Sequence, residues 1–272
     1  MEMKDKTRSK RLFLLAVTLV LATTLGTAGL SYAIINGEPD GNGHPYVGAV
    51  HNNVVFCSGA VISPYLFVTA AHCFNYPGEQ VWVTFDPEPF APGKRKVRYY
   101  TGTWYPHPDV CLGCGPGLEF DTNDVAVVVL DRPVDLPEYA QLPTEGLVDT
   151  LAMGTEVTIV GYGAQYYQTG DGPREPVFLR ARYYAPANLI TSDQTNSEEY
   201  IKLSQNPAQE KGGFCFGDSG GPDLLEEGGT ATILAVNSWG NNENCTGVGY
   251  SNRIDTKSAL DFILSFFGKA KK

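Results

Sequence analysis

Leu66-Phe67-Val68-Thr69-Ala70-Ala71-His72-Cys73 runs an apolar, partly β-branched segment into two small residues, a histidine and a cysteine. Such side chains favour extended backbone, and four of them running into two small residues make a strand. Working outward, similar runs recur at 54–62, 81–85, 97–104 and 125–130. More follow a proline- and acid-rich stretch at 131–150, namely 156–160, 177–184, 232–236 and 248–254. Turn residues separate them, so the chain is expected to be all-β, a barrel or a sandwich, with 131–150 as a linker. The only helical spacing is terminal: Leu260, Ile263, Leu264 and Phe267 predict a helix that packs one face on the body. The basic tail Lys269, Lys271 and Lys272 suits that helix's C-terminus. No internal repeat is visible.

The first residues are basic (Lys4, Lys6, Arg8, Lys10, Arg11), an apolar segment covers 12–25, and the small-x-small tripeptide Ser31-Tyr32-Ala33 follows. This order predicts a signal peptide over 1–33 and a secreted or extracytoplasmic protein. A membrane helix is the competing reading, because apolar character continues to Leu30 and about 20 residues span a bilayer. The Gly and Thr interruptions and the Ala33 site fit cleavage better. The chain has 20 Lys and Arg against 30 Asp and Glu, for a net charge of −10. The first 33 residues hold five of those bases and two of the acids, so the exported part is more acidic still. That excludes a basic nucleic-acid footprint and fits extracellular solubility; a preference for basic substrates is the lesser alternative. Six cysteines behind an export signal predict disulfides, with the pairing left open by order alone.

Hydrolysing an amide near neutral pH needs an activated nucleophile, a base, a group that holds the base, and donors for the developing oxyanion. Ser219 lies in Gly217-Asp218-Ser219-Gly220-Gly221-Pro222, where glycines permit a tight turn and leave backbone N–H groups facing a bound carbonyl. Alone, that stretch also reads as an ordinary Gly- and Asp-rich turn. It satisfies the G-x-S-x-G nucleophile elbow as well, but that mechanism places the histidine after the serine. All four histidines (His44, His51, His72, His107) precede Ser219, which removes it. His72 is singled out by its strand and its small neighbours. His44, His51 and His107 stand beside prolines or asparagines and read as turn or surface residues. Asp124 directly precedes the apolar run 125–130 and so is a strand-edge carboxylate; Asp121 and Asp109 are nearby alternatives that read as loop charges.

With His, Asp and Ser in that order, the sequence resembles the trypsin and chymotrypsin family. The resemblance rests on Thr69-Ala70-Ala71-His72-Cys73, Asn123-Asp124-Val125-Ala126, Gly161-Tyr162-Gly163, Gly217 to Pro222, and Ser238-Trp239-Gly240. It covers nearly everything from residue 34 onward. It implies two antiparallel six-stranded β-barrels with a C-terminal α-helix, the first over 34–145 and the second over 146–272, and a secreted serine endopeptidase working in the cleft between them. It implies His72, Asp124 and Ser219 as catalytic residues, an oxyanion hole from the N–H groups of Gly217 and Ser219, and a helper role for Ser238 near Asp124. It pairs Cys57 with Cys73 and Cys215 with Cys245. The remaining Cys111 and Cys114 lie in a Gly-rich insertion foreign to the family and read as a small loop disulfide; a metal site there would need His107, Asp109 or Glu119.

The resemblance also sets expectations for activation and substrate. Ile34-Ile35-Asn36-Gly37 looks like a mature start whose free ammonium pairs with Asp218, so signal peptidase itself would create the active N-terminus; cleavage near Ala28, leaving a short propeptide, is the alternative. By the match, Gly213 floors the substrate pocket and Phe214, Trp239, Gly240 and Val248 surround it. No carboxylate sits at the floor, so specificity is expected to be non-tryptic, with apolar side chains preferred. Partners are protein or peptide substrates, not nucleic acid and not a membrane once the signal is gone, and the enzyme is expected to be a monomer without cofactor or metal. A silent binding relative would usually lack a triad member, and none is missing.

Overall fold

The computed structural model describes residues 34–114, 121–167, 175–190, 199–209, 211–240 and 242–268. The expected signal peptide, Glu119 and the Lys269–Lys272 tail lie outside them. A short strand β1 (Glu38–Pro39) precedes β2 (Val47–His51), β3 (Phe56–Ser63), β4 (Leu66–Thr69), β5 (Gln80–Thr84), β6 (Tyr100–Pro106) and β7 (Ala126–Leu130). Strands β2 to β7 close into an antiparallel barrel in the order β2-β3-β4-β7-β6-β5, with β5 returning to β2 through Ala49↔Thr84 and Val50↔Val83. Alternation along β6 turns Tyr100, Gly102 and Trp104 inward, while β4 is buried throughout. That is why β4 reads as a continuous apolar run rather than an alternating one.

The stretch 131–150 leads, by a single 3₁₀ turn at Leu147–Thr150, into a second set of strands. These are β8 (Glu156–Gly161), β9 (Tyr166–Tyr167), β10 (Pro176–Val177), β11 (Tyr183–Leu189), β12 (Tyr200–Gln205), β13 (Pro222–Glu227), β14 (Thr230–Gly240) and β15 (Gly247–Arg253). Six of them close as β8-β11-β12-β15-β14-β13, with β13 meeting β8 again and β1 added beside β11, while β9 and β10 form a separate hairpin. The fold is two closed six-stranded antiparallel barrels followed by one helix, α1 (Lys257–Leu264).

Three local expectations need correction. The run 177–184 is not one strand: it breaks between β10 and β11, and Arg180 has φ +50°. The helix packs through Ala259, Leu260, Ile263 and Phe266, whereas Leu264 is 51% exposed and Phe267 40%. The spacing found a helix but set its face about one position off. His44 and His107 are buried, not surface residues. The His44 ring pairs with Asp40 and lies 3.3 Å from Glu226, and the His107 ring accepts from the Asp109 N–H at 3.2 Å.

His44 belongs to a polar knot between the two barrels, centred on the fully buried Arg182. Arg182 donates to Asp40 at 2.7 Å, to Gly41 O at 2.7 Å, to Val47 O at 2.9 Å, and to Phe85 O and the Tyr162 hydroxyl, each at 3.2 Å. Burial opposes ionisation of Asp40, but His44 and Arg182 outweigh it and hold the carboxyl below its ordinary range. Arg182→Met would leave that carboxylate short of a partner and several carbonyls without a donor. It should lower stability by about 3 kcal/mol, seen as a lower urea midpoint with an unchanged slope.

Candidate active site

Ser219 sits in a turn of the second barrel that the first barrel holds in place. The Ser58 N–H on β3 donates to Ser219 O at 2.8 Å, and the Ser58 hydroxyl donates to Gly217 O at 3.0 Å and accepts from the Tyr162 N–H at 3.0 Å. Gly220 has φ +77°, and a Cβ there would lie 2.2 Å from Thr69 Oγ1 and 2.5 Å from the Ala70 nitrogen. Only glycine lets the turn come this close to the segment that carries His72. Gly217, at φ +92°, holds a backbone conformation that favours glycine. Within the turn the N–H groups of Asp218, Gly220 and Gly221 are taken by Cys215 O, Asn237 O and Asp218 O. Among the described residues, those of Gly217 and Ser219 have no such acceptor.

His72 lies in a 3₁₀ turn (Ala71–Cys73) directly after β4, and Asp124 just before β7, the neighbour of β4 in the barrel. The pairing of Thr69 with Ala126 therefore brings the two side chains together. His72 Nδ1 is 2.7 Å from Asp124 Oδ2, and the His72 backbone N–H donates to Oδ1 at 2.8 Å. Ser238, on β14, donates its hydroxyl to Oδ2 at 2.5 Å. The Asp124 N–H donates to Asn252 Oδ1 at 3.2 Å. Burial would raise the fully buried Asp124 carboxyl, but His72 and these hydrogen bonds hold it below the ordinary carboxylate range. For His72, burial works against the charged ring, and the Asp124 carboxylate outweighs it, so the imidazole lies above its usual range.

His72, Phe214, Ser219, Ser238, Trp239 and Gly240 line one cavity of about 580 Å³, together with the Cys215–Cys245 disulfide. Gly213 and Val248 are not in its lining. The strand register explains Val248: it pairs with Ser204, and Gly249, not Val248, stands opposite Gly240. Gly213 directly precedes the lining residue Phe214 and forms a two-way backbone bridge with Ile35 at 2.8 and 3.0 Å. Disulfides join Cys57 to Cys73, Cys215 to Cys245 and Cys111 to Cys114.

Asp109 is exposed and is not among the acidic groups clustered with His72. Asp121 is nearer than a loop charge should be: one carboxylate oxygen lies within 4.8 Å of ligand atoms of both His72 and Asp124. Burial pushes its carboxyl up, the Gly113 N–H at 2.7 Å pulls it down, and Asp124 adds to the rise. Sequence reasoning missed Ser58 and Asn252, whose types and neighbours give no local signal. A lone serine in a strand is ordinary, and its value here comes from partners more than a hundred residues away.

A carboxylate bonded to a histidine, with a serine on the same cavity wall and two six-stranded barrels around them, defines a serine hydrolase of the double-barrel class. The sequence model of the Trypsin family matches residues 34–263, and the chain belongs to that family. It is a serine endopeptidase that hydrolyses peptide bonds.

Proposed function

We propose that Ser219 is the nucleophile, His72 the base and Asp124 the group that orients it, in a secreted endopeptidase of non-tryptic specificity. The observation that carries this reading is the His72–Asp124 pair at 2.7 Å on the wall of the cavity that Ser219 also lines. Ser219 Oγ attacks the scissile carbonyl carbon as His72 Nε2 takes its proton. The N–H groups of Gly217 and Ser219 receive the oxyanion. His72 then protonates the leaving amine, the C–N bond breaks, and water attacks the acyl-serine ester with His72 again as base. Ser238 keeps Asp124 Oδ2 turned toward the ring.

Gly213, the expected floor position, carries no carboxylate, and the one carboxylate among the cavity's lining residues is the exposed Glu243, while Phe214, Trp239 and the Cys215–Cys245 disulfide give the cavity apolar walls. Apolar side chains before the scissile bond are therefore favoured over Arg or Lys. Among the described residues no helix is long and apolar enough to cross a membrane. Export by a cleaved segment 1–33 fits three disulfides, and the chemistry needs neither a cofactor nor a metal. The enzyme acts as a monomer on protein or peptide substrates, with one barrel in 34–145 and the other in 146–272.

Activation follows from the start of the mature chain. Ile34 is buried, and the Asp218 carboxylate, also buried, accepts from the Gly163 and Cys215 N–H groups at 2.7 and 2.9 Å. Burial nonetheless pushes its carboxyl up to about 7, with those two bonds opposing the rise. An ammonium freed by cleavage before Ile34 supplies the missing cation and locks the turn that carries Ser219. One experiment tests the whole reading: secreted protein is treated with a fluorophosphonate and its peptides are mapped by mass spectrometry. The adduct should fall on Ser219 of a chain starting at Ile34, and peptide libraries should be cleaved chiefly after apolar residues. A folded chain starting at Ile34 that takes no label would identify a silent binding relative. Cleavage chiefly after Arg or Lys would overturn the specificity.

A further inference from the structure

The core of the second barrel is apolar, but a few polar side chains are buried in its strands. Gln205 ends β12, is 1% exposed, and neither its Oε1 nor its Nε2 has a hydrogen-bond partner among the described residues. Asn237 Oδ1 on β14 is likewise buried and unpartnered, whereas the buried Ser251 hydroxyl on β15 meets the buried Asp223 carboxyl. Asn237 and Ser251 are register partners, and Ser251 shares a strand face with Gly249. Leaving such groups unpaired costs about 1–3 kcal/mol each, so a folded chain retains them where something meets them.

The position of Gln205 shows what that could be. A Cβ on Gly213 would lie 2.8 Å from Gln205 Cβ and 2.9 Å from its Oε1. A Cβ on Gly249 would lie 2.1 Å from Gln205 Nε2 and 2.6 Å from Phe214 Cε1. The carboxamide thus fills the space that two glycines leave, directly behind the edge of the Phe214 ring, and Phe214 is a wall of the cavity. Access to the amide from the cavity passes the Phe214 ring, which would have to turn about its χ2 axis.

We propose that Gln205 is a specificity-determining residue: its carboxamide, behind Phe214, recognises the hydroxyl of a substrate tyrosine preceding the scissile bond. This inference rests on the proposed serine-peptidase mechanism and deepens it. The phenol suits the site because its ring is apolar like the walls, its length carries the oxygen to the floor, and its one hydroxyl both donates to Oε1 and accepts from Nε2. Phenylalanine offers the same ring and leaves the amide unpaired. A site built to hydrogen-bond a hydroxyl discriminates against the analogue that lacks it. An acidic side chain would be brought past the exposed Glu243 at the cavity rim, which disfavours it.

The test compares two peptide p-nitroanilides that differ only in Tyr or Phe before the scissile bond, on the mature enzyme and on Gln205→Leu and Gln205→Met. Para-nitrophenyl acetate, whose acyl group is too small to reach the floor, is run alongside. The mature enzyme should favour Tyr over Phe in kcat/KM by about tenfold, the worth of one such hydrogen bond, and both variants should bring the ratio close to one. Ratios are read within each protein, so partial loss of folded enzyme does not affect them. A ratio near one in the unaltered enzyme, or a ratio that neither variant changes, overturns the role of Gln205 while acetate turnover leaves the mechanism standing. No acetate turnover overturns the mechanism and this inference together.

Discussion

Ser219→Ala should lower kcat for a peptide amide by about a millionfold while the protein folds and melts as before. The change removes only Oγ. The bond from the Ser58 N–H to the residue-219 carbonyl and the Gly220 bond to Asn237 O both involve backbone atoms, so the turn keeps its shape. The two N–H groups proposed as the oxyanion hole also survive, and with them a residual rate about 10³–10⁴ above water. A matched thermal melt with activity lost to that floor is the expected outcome. Activity reduced by only tenfold would mean that another group carries the attack.

Asp124→Asn has the second largest expected effect, a fall in kcat of about 10⁴-fold. Three donors converge on this carboxylate: the His72 backbone N–H on Oδ1, and the His72 ring and the Ser238 hydroxyl on Oδ2. A carboxamide has only one oxygen. Its NH₂ must face a donor, and the ring escapes by taking the opposite tautomer, which puts the proton on Nε2 where the base must be free. The pH profile should move as well. The intact enzyme loses activity as pH falls through the His72 pKa, which lies above the ordinary value because Asp124 outweighs burial. Without the carboxylate, burial remains and lowers that pKa, so the acid limb of kcat/KM should shift to lower pH. Measuring the profile on an ester substrate checks this. A reduced plateau with an unmoved acid limb would leave Asp124 a merely structural role.

Much of the architecture could be read from residue order because the signals are local. The segments β4, β7 and β8 announce themselves by β-branched runs, and His72, Asp124 and Ser219 stand next to distinctive neighbours. Strand β13 was not legible: it opens on Pro222 and carries Asp223, Glu226 and Glu227, so its composition resembles a loop. Strand β12, Tyr200 to Gln205, alternates buried and half-buried residues but ends in a buried amide that looks like a surface residue. His44 and His107 misled for the opposite reason, since neighbouring prolines suggest a solvated turn and the rings were instead captured by Asp40 and by the helix at Ser258. Which residue of β15 faces the lining residue Gly240 depends on a register set by a bulge between Asn237 and Trp239. A shift of one position exchanges the two faces of a strand, and residue order does not show it.

The two-way bridge between Ile35 and Gly213 ties residues 34 and 35 to Phe214, the next residue along and a wall of the cavity. Thermodynamic reciprocity then links two events that are usually treated apart. Whatever dislodges residues 34 and 35 weakens the grip on substrate, and a ligand lodged deep in the pocket must, by the same free energy, hold those residues in place. A tight active-site ligand should therefore protect the N-terminal segment from aminopeptidases.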